Sequence, residues 1–241
     1  MRRPLGSATL PFHFTPIPIP IPIPIAPPSR RPLKTRARAW PAAIARALAR
    51  AGITPNLVSV VSIVFAALAG LSFWKAGLAL YRAPAWTWFV AAAACIQLRL
   101  LCNLLDGLLA IEGGLKTKTG DLYNEVPDRI ADVVILVGAG YALLDHQYGV
   151  ELGWLAAIVA VLTAYVRLLG GSFGLDQDFS GPMAKQHRMF VLTVGALGTA
   201  AESSTLGTRW SLYVALAVIV AGSAITFTRR LMRIARQLEA R

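Results

Sequence analysis

The sequence predicts an all-α polytopic membrane protein: six transmembrane helices preceded by an amphipathic helix at the membrane interface. Three observations carry this expectation. The chain has 241 residues, of which 56% are hydrophobic and 15% charged, with mean hydropathy +0.57. Soluble domains carry about 25% charged residues. The apolar residues stand in blocks, and one of them, 57–74, runs for 18 residues without a charge, close to the ~20 that cross a bilayer as a helix. The net charge of +12 lies almost entirely in tails and loops, where it reads as topology signals and contacts to anionic headgroups rather than as a nucleic-acid surface.

Residues 1–35 form a Pro-rich, basic tail. Alternating Ile and Pro removes backbone donors and blocks a helix, so the segment is expected to be disordered or extended and is not a signal peptide. Residues 36–52 place Trp40, Ile44 and Leu48 at i, i+4, i+8, with Arg38, Arg46 and Arg50 largely elsewhere. That pattern predicts an amphipathic helix in the headgroup plane. Thr54 is the expected N-cap and Pro55 the first residue of the next helix. The membrane domain, 53–230, then carries spans at about 57–74, 84–110, 124–144, 152–172, 189–203 and 210–228, ahead of a basic tail over 231–241. Five spans plus a re-entrant segment is the competing count. Of the 24 Lys and Arg residues, only Lys75, Arg82 and Arg209 fall on the outer side when the N-terminus is cytoplasmic. The bias puts both termini, and the acidic stretch described next, in the cytoplasm. Cys95 and Cys102 are two turns apart on one helix, too far apart to bridge.

The acids between Asn103 and Asp132 are flanked by membrane-grade apolar sequence. Ionisable groups in such places are costly and tend to be functional. Asn103, Asp106 and Ala110 share one face at the end of the second span; Asn124, Asp128 and Asp132 share one face at the start of the third. Gly113, Gly114 and Gly120 let the chain reverse between them, so the two faces are expected to meet across an antiparallel helix pair. Oxygen ligands from two rigid helices suit Mg²⁺, Mn²⁺ or Ca²⁺. Gly107 leaves room for a substrate to approach the backbone.

This spacing resembles the CDP-alcohol phosphotransferases, the phosphatidyltransferases of phospholipid synthesis. Their motif is D-x2-D-G-x2-A-R, eight or nine residues, then G-x3-D-x3-D. Here Asn103, Asp106, Gly107, Ala110 and Ile111 are followed after eight residues by Gly120, Asn124 and Asp128. Every gap matches, and the Thr54-Pro55-Asn56 start of the first span is also similar. The resemblance implies that a CDP-linked donor transfers a phosphatidyl or phospho-alcohol group to a hydroxyl acceptor, releasing CMP. It implies a two-metal site of Mg²⁺ or Mn²⁺ with Asn103, Asp106 and Asn124 as ligands. Asp128 is the implied base and a further metal contact. Asn56, Gly107, Ala110 and Gly120 lie along the CDP and phosphate path. A homodimer in the bacterial inner membrane is implied as well.

Three positions depart from the pattern: Asn stands for Asp at 103 and 124, and Ile111 for Arg. An amide ligates through its oxygen without bringing charge, and losing the Arg removes a phosphate contact. Glu125 and Asp121 lie on a second acidic stripe that includes Asp128, and either could restore charge to the metal site. Arg99, one turn before Asn103, either takes the phosphate role left by Ile111 or snorkels to the headgroups, and snorkelling is the preferred reading. Arg167, Lys185 and Arg188 reach the same surface and form the expected anion pocket for a phosphorylated acceptor or the donor phosphates. Asp145, Asp176 and Asp178 read as solvated loop residues, and Arg229, Arg230, Arg233 and Arg236 as a headgroup-binding helix end. Two other readings stay open. One is an inactive relative that binds nucleotide or lipid. The other is a small transporter, against which stands the position of the acids at the membrane edge.

Overall fold

A computed structural model describes residues 39–79, 84–112 and 119–241. The expectations for the 1–35 tail and for the reversal at Gly113 and Gly114 lie outside them. The described chain forms seven α-helices: α1 (Ala39–Arg50), α2 (Pro55–Leu78), α3 (Ala85–Glu112), α4 (Gly120–Tyr141), α5 (Gly149–Ser172), α6 (Lys185–Thr205) and α7 (Trp210–Glu239). α1 falls within 36–52, and α2 to α7 fall on the six expected segments. By length and composition α2, α3, α5 and α7 are apolar enough to cross a membrane. α4 and α6 are less apolar because they carry the ionisable residues: Asp121, Glu125, Asp128, Arg129 and Asp132 on one, Lys185, Arg188 and Glu202 on the other.

Local signals set the start of α2. Thr54 is extended and its hydroxyl accepts the amide of Leu57 at 3.3 Å, with Pro55 at the first helical position, so one orphan amide is satisfied and no donor is wasted. α1 packs on α3 through Ala45, Leu48 and Ala49, while Trp40 and Ile44 are exposed. α7 continues past the expected end of the sixth span, because Ile234 is buried and lies beside Gly170 of α5. Both cysteines are free thiols.

α2 to α7 close into a ring in which the main packing neighbours run α2, α3, α6, α7, α5, α4 and back to α2. Small residues make the tight seams. Gly138 on α4 faces Gly70 on α2, and Gly140 faces Gly153 on α5. A Cβ on Gly138 would stand 2.6 Å from the Gly70 Cα, and backbone cannot yield as a side-chain tip can. Gly138→Leu is therefore expected to cost about 1–3 kcal/mol through overpacking, read as a lower Tm of the detergent-solubilised protein. Inside the ring, one end is apolar: Ala69, Phe73, Phe89, Ile135, Leu192, Leu212 and their neighbours are sealed from solvent. Outward faces expose Val64, Ile158, Val194 and Val214, a surface suited to lipid chains.

One expectation is corrected. α3 and α4 do not lie against each other as a packed pair; each packs on α2 instead. The small residues of α2 and α4 draw those two helices together, and long polar side chains bridge the space between α3 and α4.

Candidate active site

Those bridging side chains fill the other end of the ring. α3 contributes Arg99, Asn103 and Asp106; α4 contributes Asp128 and Asp132; α6 contributes Lys185 and Arg188. Asn103 Nδ2 donates to Asp128 Oδ1 at 2.7 Å, so the two motif halves meet as the spacing predicts. Lys185 Nζ forms an ion pair with the same Oδ1, and Arg99 Nη2 approaches it at 3.4 Å while donating to the Asp128 carbonyl at 3.2 Å. Asp132 is 1% exposed and is claimed on both sides: Oδ1 accepts from Arg99 Nη2 at 2.8 Å and Oδ2 from Arg188 Nη2 at 2.9 Å. Arg188 Nη1 also donates to Thr163 Oγ1 on α5 and to the Met183 carbonyl. Asp106 is buried, and its Oδ2 accepts from Ser59 Oγ of α2 at 2.7 Å. Asp106, Asp128 and Asp132 thus stand against Arg99, Lys185 and Arg188. Buried charges survive when paired and hydrogen-bonded in this way.

Arg99 is 0% exposed, which overturns the snorkelling expectation. The pull of two carboxylates inside the ring outweighs access to headgroups. Arg99 and Ser59 are the members that spacing alone misses; spacing places Asp132 on the Asp128 face, but not as the partner of two arginines. The available signal was an Arg inside an apolar span, together with hydroxyls at Ser59 and Ser62 in an otherwise apolar α2.

A second polar group sits outside this one. Glu125 Oε1 accepts from Arg167 Nη2 at 2.6 Å, and Oε2 from Arg129 Nη2 at 2.8 Å. Arg167 Nη1 donates to Gln177 at 3.0 Å, and its guanidinium lies 5.0 Å from the Phe179 ring. Arg167 therefore does not meet Lys185 and Arg188 in one open cation pocket, because each is matched to its own acid. Asn124 and Asp121 are exposed at the start of α4, while Asn56, Gly107, Ala110 and Gly120 are half-buried.

The loop 173–184 delivers Lys185 and Arg188, and α7 straps it down. Arg233 pairs with Asp178, Arg230 Nε donates to the Ser180 carbonyl at 3.0 Å, and the Met183 amide donates to Thr226 Oγ1 at 3.0 Å. Arg241 donates to the carbonyls of Phe173 and Gly174. Arg230 and Arg233, expected at headgroups, hold protein, and Asp178 is not a freely solvated loop residue. Burial opposes its charge. The Ser180 hydrogen bonds and then Arg233 and Arg230 outweigh that and hold its carboxyl below the usual range. Its contribution is present above the ordinary carboxylate pKa, about 4, and fades as pH falls through the lowered value.

Among the described residues no three His, Cys, Asp or Glu side chains gather into a metal cluster. The donor set here is mixed: the carboxylates of Asp106 and Asp128 with the amide oxygen of Asn103, all hard oxygens. It fits a divalent ion of the Mg²⁺ or Mn²⁺ kind.

No family model matches the chain. Curated relatives do. It is 24% identical over 190 residues to the phosphatidylinositol phosphate synthase of Mycolicibacterium smegmatis, covering 78% of this chain and 80% of that protein. It is 27% identical over 205 residues to that of Cutibacterium acnes, covering 82% and 93%. Among solved structures, the Mycobacterium tuberculosis phosphatidylinositol phosphate synthase with CDP-DAG bound superposes with TM-score 0.67 at 23% identity, over 82% of this chain and 94% of that one. The same enzyme with manganese and citrate gives TM-score 0.66 at 23% identity, over 80% and 88%. That likeness shows a shared fold. Taken with the sequence relatives and with a motif whose two halves meet at Asn103 and Asp128, it makes the chain similar to the CDP-alcohol phosphotransferases in fold and motif.

Proposed function

We propose that this protein is a membrane CDP-alcohol phosphotransferase of phospholipid synthesis. It moves a phosphatidyl or phospho-alcohol group from a CDP-linked donor to a hydroxyl acceptor and releases CMP. The observation that carries the reading is the meeting of the two motif halves inside the helix ring, with Asn103 on Asp128 and Asp106 buried beside them. The relatives named for phosphatidylinositol phosphate synthesis and the neighbour holding CDP-DAG support a CDP-linked lipid as donor.

Asp106, with the amide oxygens of Asn103 and Asn124, would hold a divalent ion. When bound, such an ion neutralises the diphosphate and eases departure of CMP. Asp128 takes the proton of the acceptor hydroxyl as its oxygen forms a bond to phosphorus and the phosphorus–oxygen bond to CMP breaks. Asn56, Gly107, Ala110 and Gly120 line the approach of the nucleotide and its phosphates. Lys185 meets anionic oxygens beside Asp128, while Arg188 and Arg167 position the surrounding acids. Glu125, held by two arginines, keeps α4 against α5 and contributes field more than ligation. The six helices of the ring all span the membrane, with α1 at the interface. Both termini and the site face the cytoplasm of a bacterial inner membrane, and a homodimer follows from the family resemblance.

An inactive relative is the second reading, and the amides at 103 and 124 favour it. The deciding measurement is CMP release by the purified protein with Mn²⁺ and a panel of CDP-linked donors and hydroxyl acceptors. Release is expected with at least one pair, and Asp128→Asn should lower it about 10²–10⁴-fold. Measurable donor binding with no release from any pair would favour the inactive relative. Full activity in Asp128→Asn would remove Asp128 as the base.

A further inference from the structure

Asp128 Oδ1 is crowded by nitrogen: Asn103 Nδ2 at 2.7 Å, Lys185 Nζ in an ion pair, and Arg99 Nη2 at 3.4 Å. A carboxylate oxygen has two lone pairs, so these donors use that oxygen up. Each oxygen of Asp132 accepts from a guanidinium, Arg99 or Arg188, and Asp106 Oδ2 accepts from Ser59. Within the described residues, the oxygens of Asp106 and Asp128 that accept from no side chain of this cluster are Asp106 Oδ1 and Asp128 Oδ2, one on each. Amides at 103 and 124 add oxygens and no charge.

Charge balance leads to the same count. Asp106, Asp128 and Asp132 are matched by Arg99, Lys185 and Arg188, so the buried layer is neutral as it stands. One dication arriving with a diphosphate diester leaves it neutral. Two dications would leave an uncompensated double charge in a layer where burial is costly, and they would repel each other four times as strongly as two unit charges. Lys185 differs from its companions. Arg99 and Arg188 are sealed, at 0% and 2% exposed, whereas the Lys185 side chain is 22% exposed. Part of the Lys185 side chain is thus accessible where Arg99 and Arg188 are not, and its place at the start of α6 is fixed by the strapped loop.

We propose that this site takes a single divalent cation per chain, and that the Lys185 ammonium, seated on Asp128, supplies to the donor's phosphates the positive charge a second ion would bring. The role of the phosphates rests on the transfer reading above; the metal count does not require turnover. The test is Mn²⁺ binding to the purified full-length protein, followed by calorimetry and electron paramagnetic resonance with CDP as the probe anion. One Mn²⁺ per chain is expected. Lys185→Gln should weaken CDP binding at saturating Mn²⁺ by tenfold or more, and Lys185→Arg should recover most of it. Asn103→Asp/Asn124→Asp/Lys185→Gln should bind two ions, seen as spin–spin broadening. Two ions or none in the unmodified protein would overturn the proposal, as would unchanged CDP affinity in Lys185→Gln. One Mn²⁺ and tight CDP binding without CMP release from any donor would sink the transfer reading and leave the single-ion site standing.

Discussion

Asp132→Ala is expected to lower stability by about 3–5 kcal/mol, the cost of removing one partner from a buried ion pair. The reason is local and severe. Asp132 is the carboxylate shared by Arg99 and Arg188, and both guanidiniums are sealed from solvent. Without it, two cations from α3 and α6 face each other across α4 with only Asp128 nearby. For a chain of this length, each kcal/mol shifts Tm by about 2–4 °C, so a fall of about 10 °C is expected in thermal unfolding of the detergent-solubilised protein. Replacing all three residues by leucine should recover much of the loss, because paired burial of charge gains little over apolar packing. A triple variant as unstable as Asp132→Ala would show that the cluster stabilises the ring beyond charge balance.

Asp106→Ala is expected to abolish CMP release, by about 10³-fold or more, while leaving the helix ring folded. The several kcal/mol that a positioned divalent ion gives to phosphoryl transfer convert at ~1.4 kcal/mol per tenfold. Asp106 is the motif position at which this chain keeps a ligand's negative charge on α3. Its hydrogen-bond partner is the neutral Ser59 hydroxyl, so its loss breaks no direct ion pair, in contrast to Asp132. Initial-rate assays with Mn²⁺, paired with circular dichroism, check both halves. A variant with rates within tenfold of the unmodified protein would remove Asp106 from the metal site.

Much of the architecture was legible because it rests on local chemistry. Thr54 and Pro55 announce a helix start, and the structure shows the cap hydrogen bond. Spacings of three and four placed Asn103 and Asp128 on faces that could meet, and they do. What was not legible depends on which helix stands behind which. Nothing near Arg99 in sequence says that Asp132, 33 residues away, will sit at its guanidinium. The same blindness made Arg167, Lys185 and Arg188 look like one pocket, since a cation's partner is a tertiary fact. The splaying of α3 from α4 follows from glycines on α2 and α4, whose role appears only once those helices are neighbours.

The strap between α7 and the 173–184 loop has a consequence for the way this chain tolerates change. Arg230 and Arg233 are three residues apart and so share a face, and Thr226, one turn earlier, completes the row that grips Ser180, Asp178 and Met183. A helix turns about 100° per residue. Adding or deleting one residue between Ala215 and Thr226 would swing that row a quarter-turn away while leaving composition and hydropathy almost unchanged. Substitutions on the outer face of α7 would pass unnoticed, whereas a single-codon insertion would unclamp the loop and let Lys185 drift from Asp128. The last helix works as a phased key, and what it holds constant is angle rather than length.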